Sequence, residues 1–199
     1  MNPDATHPSL LSRLRDRADG AAWREFEQRY RELLVRFCRS RGLQIADAED
    51  VVQAVMANMS QSLVGFKYDP AKGRFRDYLY RATRNAISRL ASRPNPAAGA
   101  LDTSADAAAA TDSDPEGASV WEREWVAHHY RLAMESVRQS FDARSVEVFE
   151  RNMGGMSVAA LASAFGMSEQ AVHKVRQRIR ARMEELITAQ VREEDGLDD

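Results

Sequence analysis

The side chains of this sequence best suited to chemistry are cations, and they stand in two runs. Between Phe66 and Arg93 come Lys67, Lys72, Arg74, Arg76, Arg81, Arg84, Arg89 and Arg93, against only Asp69 and Asp77. From His173 to Arg182 come Lys174, Arg176, Arg178, Arg180 and Arg182, with no acid. The net charge is nevertheless −2, because Asp102, Asp106, Asp112, Asp114 and Glu116 gather between the runs and the tail reads REEDGLDD. Two basic faces on a near-neutral chain form the electrostatic footprint of a nucleic-acid binder, since Lys and Arg displace the counterions of phosphates. Charge alone does not separate that reading from two ordinary solvated helix faces.

The company each run keeps is more telling. Phe66, Tyr68 and Phe75 flank a loop bearing Lys67, Lys72 and Arg74. Singly, each aromatic reads as core. Together with the cations they suit single-stranded nucleic acid, whose bases stack and whose backbone needs neutralising. In the helix after that loop, Arg74, Arg81, Arg84, Asn85 and Ser88 share one broad face that only Asp77 interrupts. The second run has a different plan. At 100° per residue, Val172, Val175, Ile179, Met183 and Leu186 form an apolar stripe. Gln170, His173, Lys174, Gln177 and Arg178 project opposite it. That is the arrangement of a helix whose outer ridge reads base edges while nearby guanidiniums hold phosphates. A third face, Asp50, Ala54, Ala57, Asn58 and Gln61, is almost uncharged. It reads either as a surface covered by a partner or as a merely tolerated small-residue face.

Catalytic constellations are poor. His128 and His129 are adjacent, so they point apart on a helix, and no glycine-rich phosphate loop, Cys/His ligand spacing or nucleophile motif occurs. Neither an enzyme nor a cofactor or metal is expected. The lone Cys38 sits among apolar helix positions and reads as a buried structural thiol. No apolar run approaches the roughly 20 residues needed to span a bilayer, and the opening MNPDATHPSL lacks a signal peptide's regions. The expectation is a cytoplasmic protein with no membrane partner.

The elements that must position these faces are helical throughout. Residues 91–119, rich in Ala, Ser, Asp, Pro and Gly, contain Leu101 as their only large apolar side chain before Val120. Such a stretch cannot bury enough surface to offset its ordering entropy, and it divides the chain as a linker. Before it, three-and-four spacings predict one helix through Trp23, Phe26, Tyr30, Leu33, Leu34 and Phe37, ended by Arg41-Gly42. A second begins near Ala46-Asp47 and carries Val51, Val52, Val55, Met56, Met59 and Leu63; a third runs from about Arg74 to Leu90. A shorter one is expected around Ser9 to Arg17. After the linker come helices from about Val120 to Gln139 and Ala143 to Met153. Ser157 then caps VAALASAF, Gly166 ends it, and Ser168 caps a long helix to about Ala189. Helix, short turn with Gly, longer basic helix: this is a helix-turn-helix outline. The fold class is all-α, with two small helical domains. The expected boundaries are 8–92, a flexible acidic linker at 93–119, 120–190, and an acidic tail at 191–199.

On these motifs the chain resembles the bacterial RNA polymerase sigma factors of the extracytoplasmic-function (ECF) group. The resemblance rests on DAEDVVQ (Asp47 to Gln53), FKYDPAKGRFRDYLYRATRN (Phe66 to Asn85) and SVAALASAFGMSEQAVHKVRQRIRARMEEL (Ser157 to Leu186). It likens the first domain to sigma region 2 and the second to region 4. It implies that Asp47, Asp50, Gln53, Ala57 and Gln61 face the clamp helices of the polymerase's largest subunit, with the flap as a further core contact. It implies that Lys67, Lys72, Arg74, Phe75, Arg81, Arg84 and Asn85 engage the minus-ten element as a separated strand. Ser168, Gln170, His173, Lys174, Gln177 and Arg178 would read the minus-thirty-five element as duplex. Ala54, Tyr78, His173 and Val175 depart from the family's usual residues. The function implied is promoter recognition and melting as a subunit of polymerase core, with an anti-sigma factor left open as a partner. Two rivals stand beside it: a helix-turn-helix regulator that does not melt DNA, and a regulatory protein-interaction module.

Overall fold

A computed structural model describes residues 10–14, 16, 18–62, 74–92 and 114–194, and among these every regular element is a helix. They are α1 (Leu10–Arg13), α2 (Gly20–Ser40), α3 (Ile45–Ser62), α4 (Phe75–Ala91), α5 (Pro115–Ser140), α6 (Ala143–Met153), α7 (Val158–Phe165) and α8 (Glu169–Glu194). The fold is all-α, as expected. No helix among the described residues is long and apolar enough to cross a membrane. These residues fall into two compact units, one running to Trp125 and including Arg192–Glu194, the other comprising Val126–Val191.

The first unit is built on α2. Asp19 caps it by accepting from the Ala22 amide at 2.8 Å, and Gly42, at φ 88°, supplies the left-handed turn that stops it. Phe26, Tyr30, Leu33, Leu34 and Phe37 then fall on one stripe, all at 1% exposure or less, and α3 and α4 pack over them. Phe75 at the start of α4 meets Phe26 and Tyr30 edge-on or tilted, with centroids 6.1 and 5.5 Å away. Each such large apolar side chain contributes about 1.5–3 kcal/mol on burial. Cys38 is fully buried in this core, and burial pushes its thiol up to about 12.

Both ends of this unit differ from the expectation. α5 begins at Pro115, not Val120, so residues 115–119 are helix rather than linker. The physical reason is an N-terminal signal inside DSDPEG. Asp114 accepts from the Gly117 amide at 2.8 Å, and Pro115 takes the first helical position, where its missing N–H costs nothing. Trp121 and Trp125, assigned from sequence to the second domain, complete the first unit's core, Trp121 meeting Phe37 edge-on (5.0 Å) and Trp125 stacking on Tyr30 (6.2 Å). At the other end α8 continues to Glu194, where an acidic tail was expected from residue 191. Glu193 binds Arg29 at 2.7 Å and Glu194 is buried at 4% exposure, so these acids have partners rather than solvent. The rest of the expected linker, residues 93–113, and residues 195–199 lie outside the described residues.

In the second unit, Ala133, Met134, Val137, Val146, Phe149, Ile179 and Met183 form one core cluster, and Val148, Leu161 and Val172 a second beneath α7. Asp142 caps α6 by accepting from Ser145, and Ser157 caps α7 by accepting from Ala160. Gly166 ends α7 at φ 58°, ψ 41°, a conformation a side chain would strain. The Met167 amide then bonds back to the Ala162 carbonyl at 2.9 Å.

Candidate nucleic-acid and polymerase interface

Two helices of the first unit present contrasting faces. On α3, Asp47, Asp50, Gln53, Ala54, Ala57, Asn58 and Gln61 span an arc of roughly 140° at 100° per residue. All are exposed except the half-buried Asp47, and none is a cation. Glu49 lies off this arc, and its charge is engaged by Arg31 at 2.5 Å. Opposite the arc, Val51, Val52, Val55 and Met59 are buried, so the apolar stripe fixes which residues α3 shows.

On α4 the buried stripe is Phe75, Leu79, Thr83 and Ala86. Thr83 is polar yet fully buried; its hydroxyl donates to the Leu79 carbonyl at 2.8 Å, which makes it acceptable inside. The stripe turns Arg74, Arg81, Asn85 and Arg89 outward to solvent and leaves Arg84 half-buried, its guanidinium 6.0 Å from the Tyr80 ring centroid. Arg74, Arg81 and Arg89 form no ion pair among the described residues. α3 and α4 together line an open groove of about 670 Å³ with Asn58, Gln61, Tyr78, Arg81, Ala82, Asn85 and Arg89. A smaller one alongside, lined in part by Asp50, Ala54, Ala57 and Arg89, extends the same surface. The amides offer donors and acceptors, the guanidiniums donors only, and Tyr78 an aromatic edge. Such a groove suits an extended polyanion carrying planar bases.

Residues 27–94 match the family model for Sigma-70 region 2. The matched segment is roughly a third of the chain and contains α3, α4 and most of α2. It supports a sigma-70 family member with a sigma-factor-like role in polymerase binding and promoter recognition. No curated protein matches the chain, and no solved structure matches it.

Within region 2 the structure sorts the expected residues. Arg81 and Asn85 come together in the groove, with Gln61 from α3 facing them, and Asp50 and Ala57 line its extension. Asp47 and Gln53 lie on the same helix outside both grooves. Arg74 precedes α4 and is exposed, and Arg84 stands to the side against Tyr80. Phe75 is corrected: at 4% exposure between Phe26 and Tyr30 it is core, with no face left for a base. Lys67 and Lys72 lie outside the described residues. Tyr78 and Arg89 were not singled out as site residues, although the sequence held a signal. They lie three residues before Arg81 and four after Asn85, on the same helical face.

The second unit presents its own polar ridge. Val172, Ile179 and Met183 of α8 are buried, which leaves Gln170, His173, Lys174, Gln177 and Arg178 exposed along the opposite side. Ser168 is exposed too, but its hydroxyl oxygen accepts from the Ala171 amide at 3.1 Å, so it serves first as the cap of α8. Arg178 lies 5.5 Å from the Phe141 ring centroid, which holds one cation of the ridge against the unit's surface.

Proposed function

We propose that this chain is a sigma factor of the ECF type, which binds RNA polymerase core and directs promoter melting. The observation that carries the reading is the meeting of an α3 face without cations and an arginine-and-amide α4 face at one groove, inside the segment that matches Sigma-70 region 2. Asp47, Asp50, Gln53, Ala57 and Gln61 would dock on the clamp helices of core, where the neutral positions lose little on desolvation and the two carboxylates would need cationic or hydrogen-bonding partners on core. Arg74, Arg81, Arg84 and Asn85 would hold the separated minus-ten strand, with Lys67 and Lys72 supplying further cations. Binding a single strand in preference to duplex offsets the few kcal/mol needed to unstack and unpair a base. The second unit would act as region 4. Its ridge from Gln170 to Arg178 would read the minus-thirty-five duplex and set register.

The reading is tested by run-off transcription with purified core polymerase on a library of promoters. Transcripts that start at defined sites and depend on this chain are expected. Tight, specific duplex binding with no transcripts would point instead to a helix-turn-helix regulator that does not melt DNA.

A further inference from the structure

We propose that Arg144 and Arg151 of α6 are positioning residues for the helix-turn-helix, acting on α8 through Phe165 without touching DNA. The inference rests on the reading of α8 as a duplex-binding helix, and deepens it. Phe165 is the last residue of α7, so its carbonyl is one of the four that a helix leaves without an internal partner. The Arg144 guanidinium donates to that carbonyl from the facing α6, placing a positive charge at the negative end of α7. Arg151, two turns along α6, stands 5.2 Å from the Phe165 ring centroid, and Glu147 holds it there at 2.5 Å. Val148 lies between the two arginines in sequence and packs beneath with Leu161 and Val172. The carbonyl and the ring of one residue are thus both gripped from α6.

Phe165 matters because it is the anchor of the turn into α8. Gly166 reverses the chain in the left-handed conformation, and the Met167 amide closes back on Ala162. Ser168 then opens α8 by capping Ala171. Only this turn separates Phe165 from Gln170, His173 and Lys174. A left-handed glycine is also the easiest backbone in the segment to reorient. The apolar stripe of α8 fixes its roll, through Val172 and Ile179. The grip on Phe165 fixes the bearing of its first turn, where base edges are read in this motif.

Positioning and phosphate binding predict different losses. A guanidinium on a phosphate contributes about 0.9 to the slope of log affinity against log salt and favours no sequence. A guanidinium that orients the turn contributes no slope but governs discrimination. The experiment takes the full chain, selects duplexes from a randomised pool of short DNA duplexes, and compares affinity for a selected duplex with a scrambled one over a salt series. Arg144→Ala should lower the selected-to-scrambled ratio by about tenfold or more, the equivalent of one base contact, with the salt slope unchanged. Arg144→Lys, which keeps a donor for the Phe165 carbonyl, should restore most of the ratio. Phe165→Leu, which keeps apolar packing but removes the ring under Arg151, should lower the ratio in the same way, and it stands in for Arg144→Ala if that variant melts below the assay temperature. A slope reduced by about one with an unchanged ratio would mean that Arg144 binds phosphate, and would overturn the proposal. So would an unchanged ratio and slope in both variants. If the wild-type chain selects no duplex at all, the duplex-reading role of α8 fails, and this proposal fails with it.

Discussion

Tyr30 donates its phenolic hydrogen to the Glu194 carboxylate at 2.6 Å, across 164 positions of sequence and with both side chains buried. Burial first, and the Glu194 charge second, hold the Tyr30 phenol protonated well above its ordinary range. Beside it Arg29 takes Glu193 at 2.7 Å, and Glu193 also accepts from the Leu10 amide at 3.3 Å. The last turn of α8 thereby belongs to the core that α2 organises. Glu194→Ala should cost about 1–3 kcal/mol, because a buried hydroxyl loses an acceptor and does not regain water. A urea-denaturation cycle with Tyr30→Phe should show a coupling of about 0.5–3 kcal/mol between the two positions. Additive losses would contradict the pairing.

Two helices are capped by carboxylates whose pKa values are depressed. The Ala22 amide first, and Arg13 next, lower that of Asp19; the Ser145 amide and hydroxyl lower that of Asp142. A carboxylate depressed in the folded state stabilises above its unfolded value and loses that contribution as pH falls through the folded value. Thermal stability should therefore drop as pH is lowered from the ordinary aspartate value of 3.8 and below. Asp142→Asn, which keeps an acceptor but not the titration, should flatten that part of the profile in melts recorded from neutral to acid pH. An unaltered profile would remove Asp142 from the acid response.

The α3 face offers a test of core docking that leaves the fold alone. Ala57 is exposed and lines the groove extension, so Ala57→Lys adds a charge without disturbing packing. Its effect on melting should stay within about 0.5 kcal/mol, as for an ordinary surface change. Affinity for core polymerase, measured by titration with labelled chain, should fall by tenfold or more, since a lysine buried unpaired costs about 1.4 kcal/mol or more. Unchanged affinity would remove Ala57 from the interface.

The α4 and α8 faces should separate by the form of DNA they recognise. Arg81→Ala and Asn85→Ala should weaken open-complex formation, followed by permanganate reactivity of unpaired thymines, more than they weaken duplex binding. Lys174→Ala should do the reverse, lowering duplex affinity and, for any phosphate it holds, the salt slope by about one. Equal losses in both assays from all three changes would contradict the division of labour between the helices.

Much of this was legible in the sequence because it was written locally. Three-and-four spacing in α2, α3 and α8 set which side chains are buried, and a ridge opposite an apolar stripe has no choice but to face outward. Ser157, Gly166 and Ser168 placed the start of α7, the turn that ends it and the start of α8, because capping involves residues only three or four apart. Phe75 was misjudged for a different reason. An aromatic beside arginines carries the same local signature whether it stacks on a base or on Phe26 and Tyr30, and only the packing of α4 on α2 distinguishes them.

By itself the sequence determined the all-α class, the exposed faces of α3, α4 and α8, and the turn that opens α8, since each arises from helical period and capping chemistry. The tertiary structure alone decided that Trp121 and Trp125 complete the core around Phe37 and Tyr30, that Glu193 and Glu194 find Arg29 and Tyr30, and that Arg144 and Arg151 grip Phe165. These relationships join residues that no helical period links. Their energy comes from burial and from pairing charges between helices, and such terms exist only once the helices have packed.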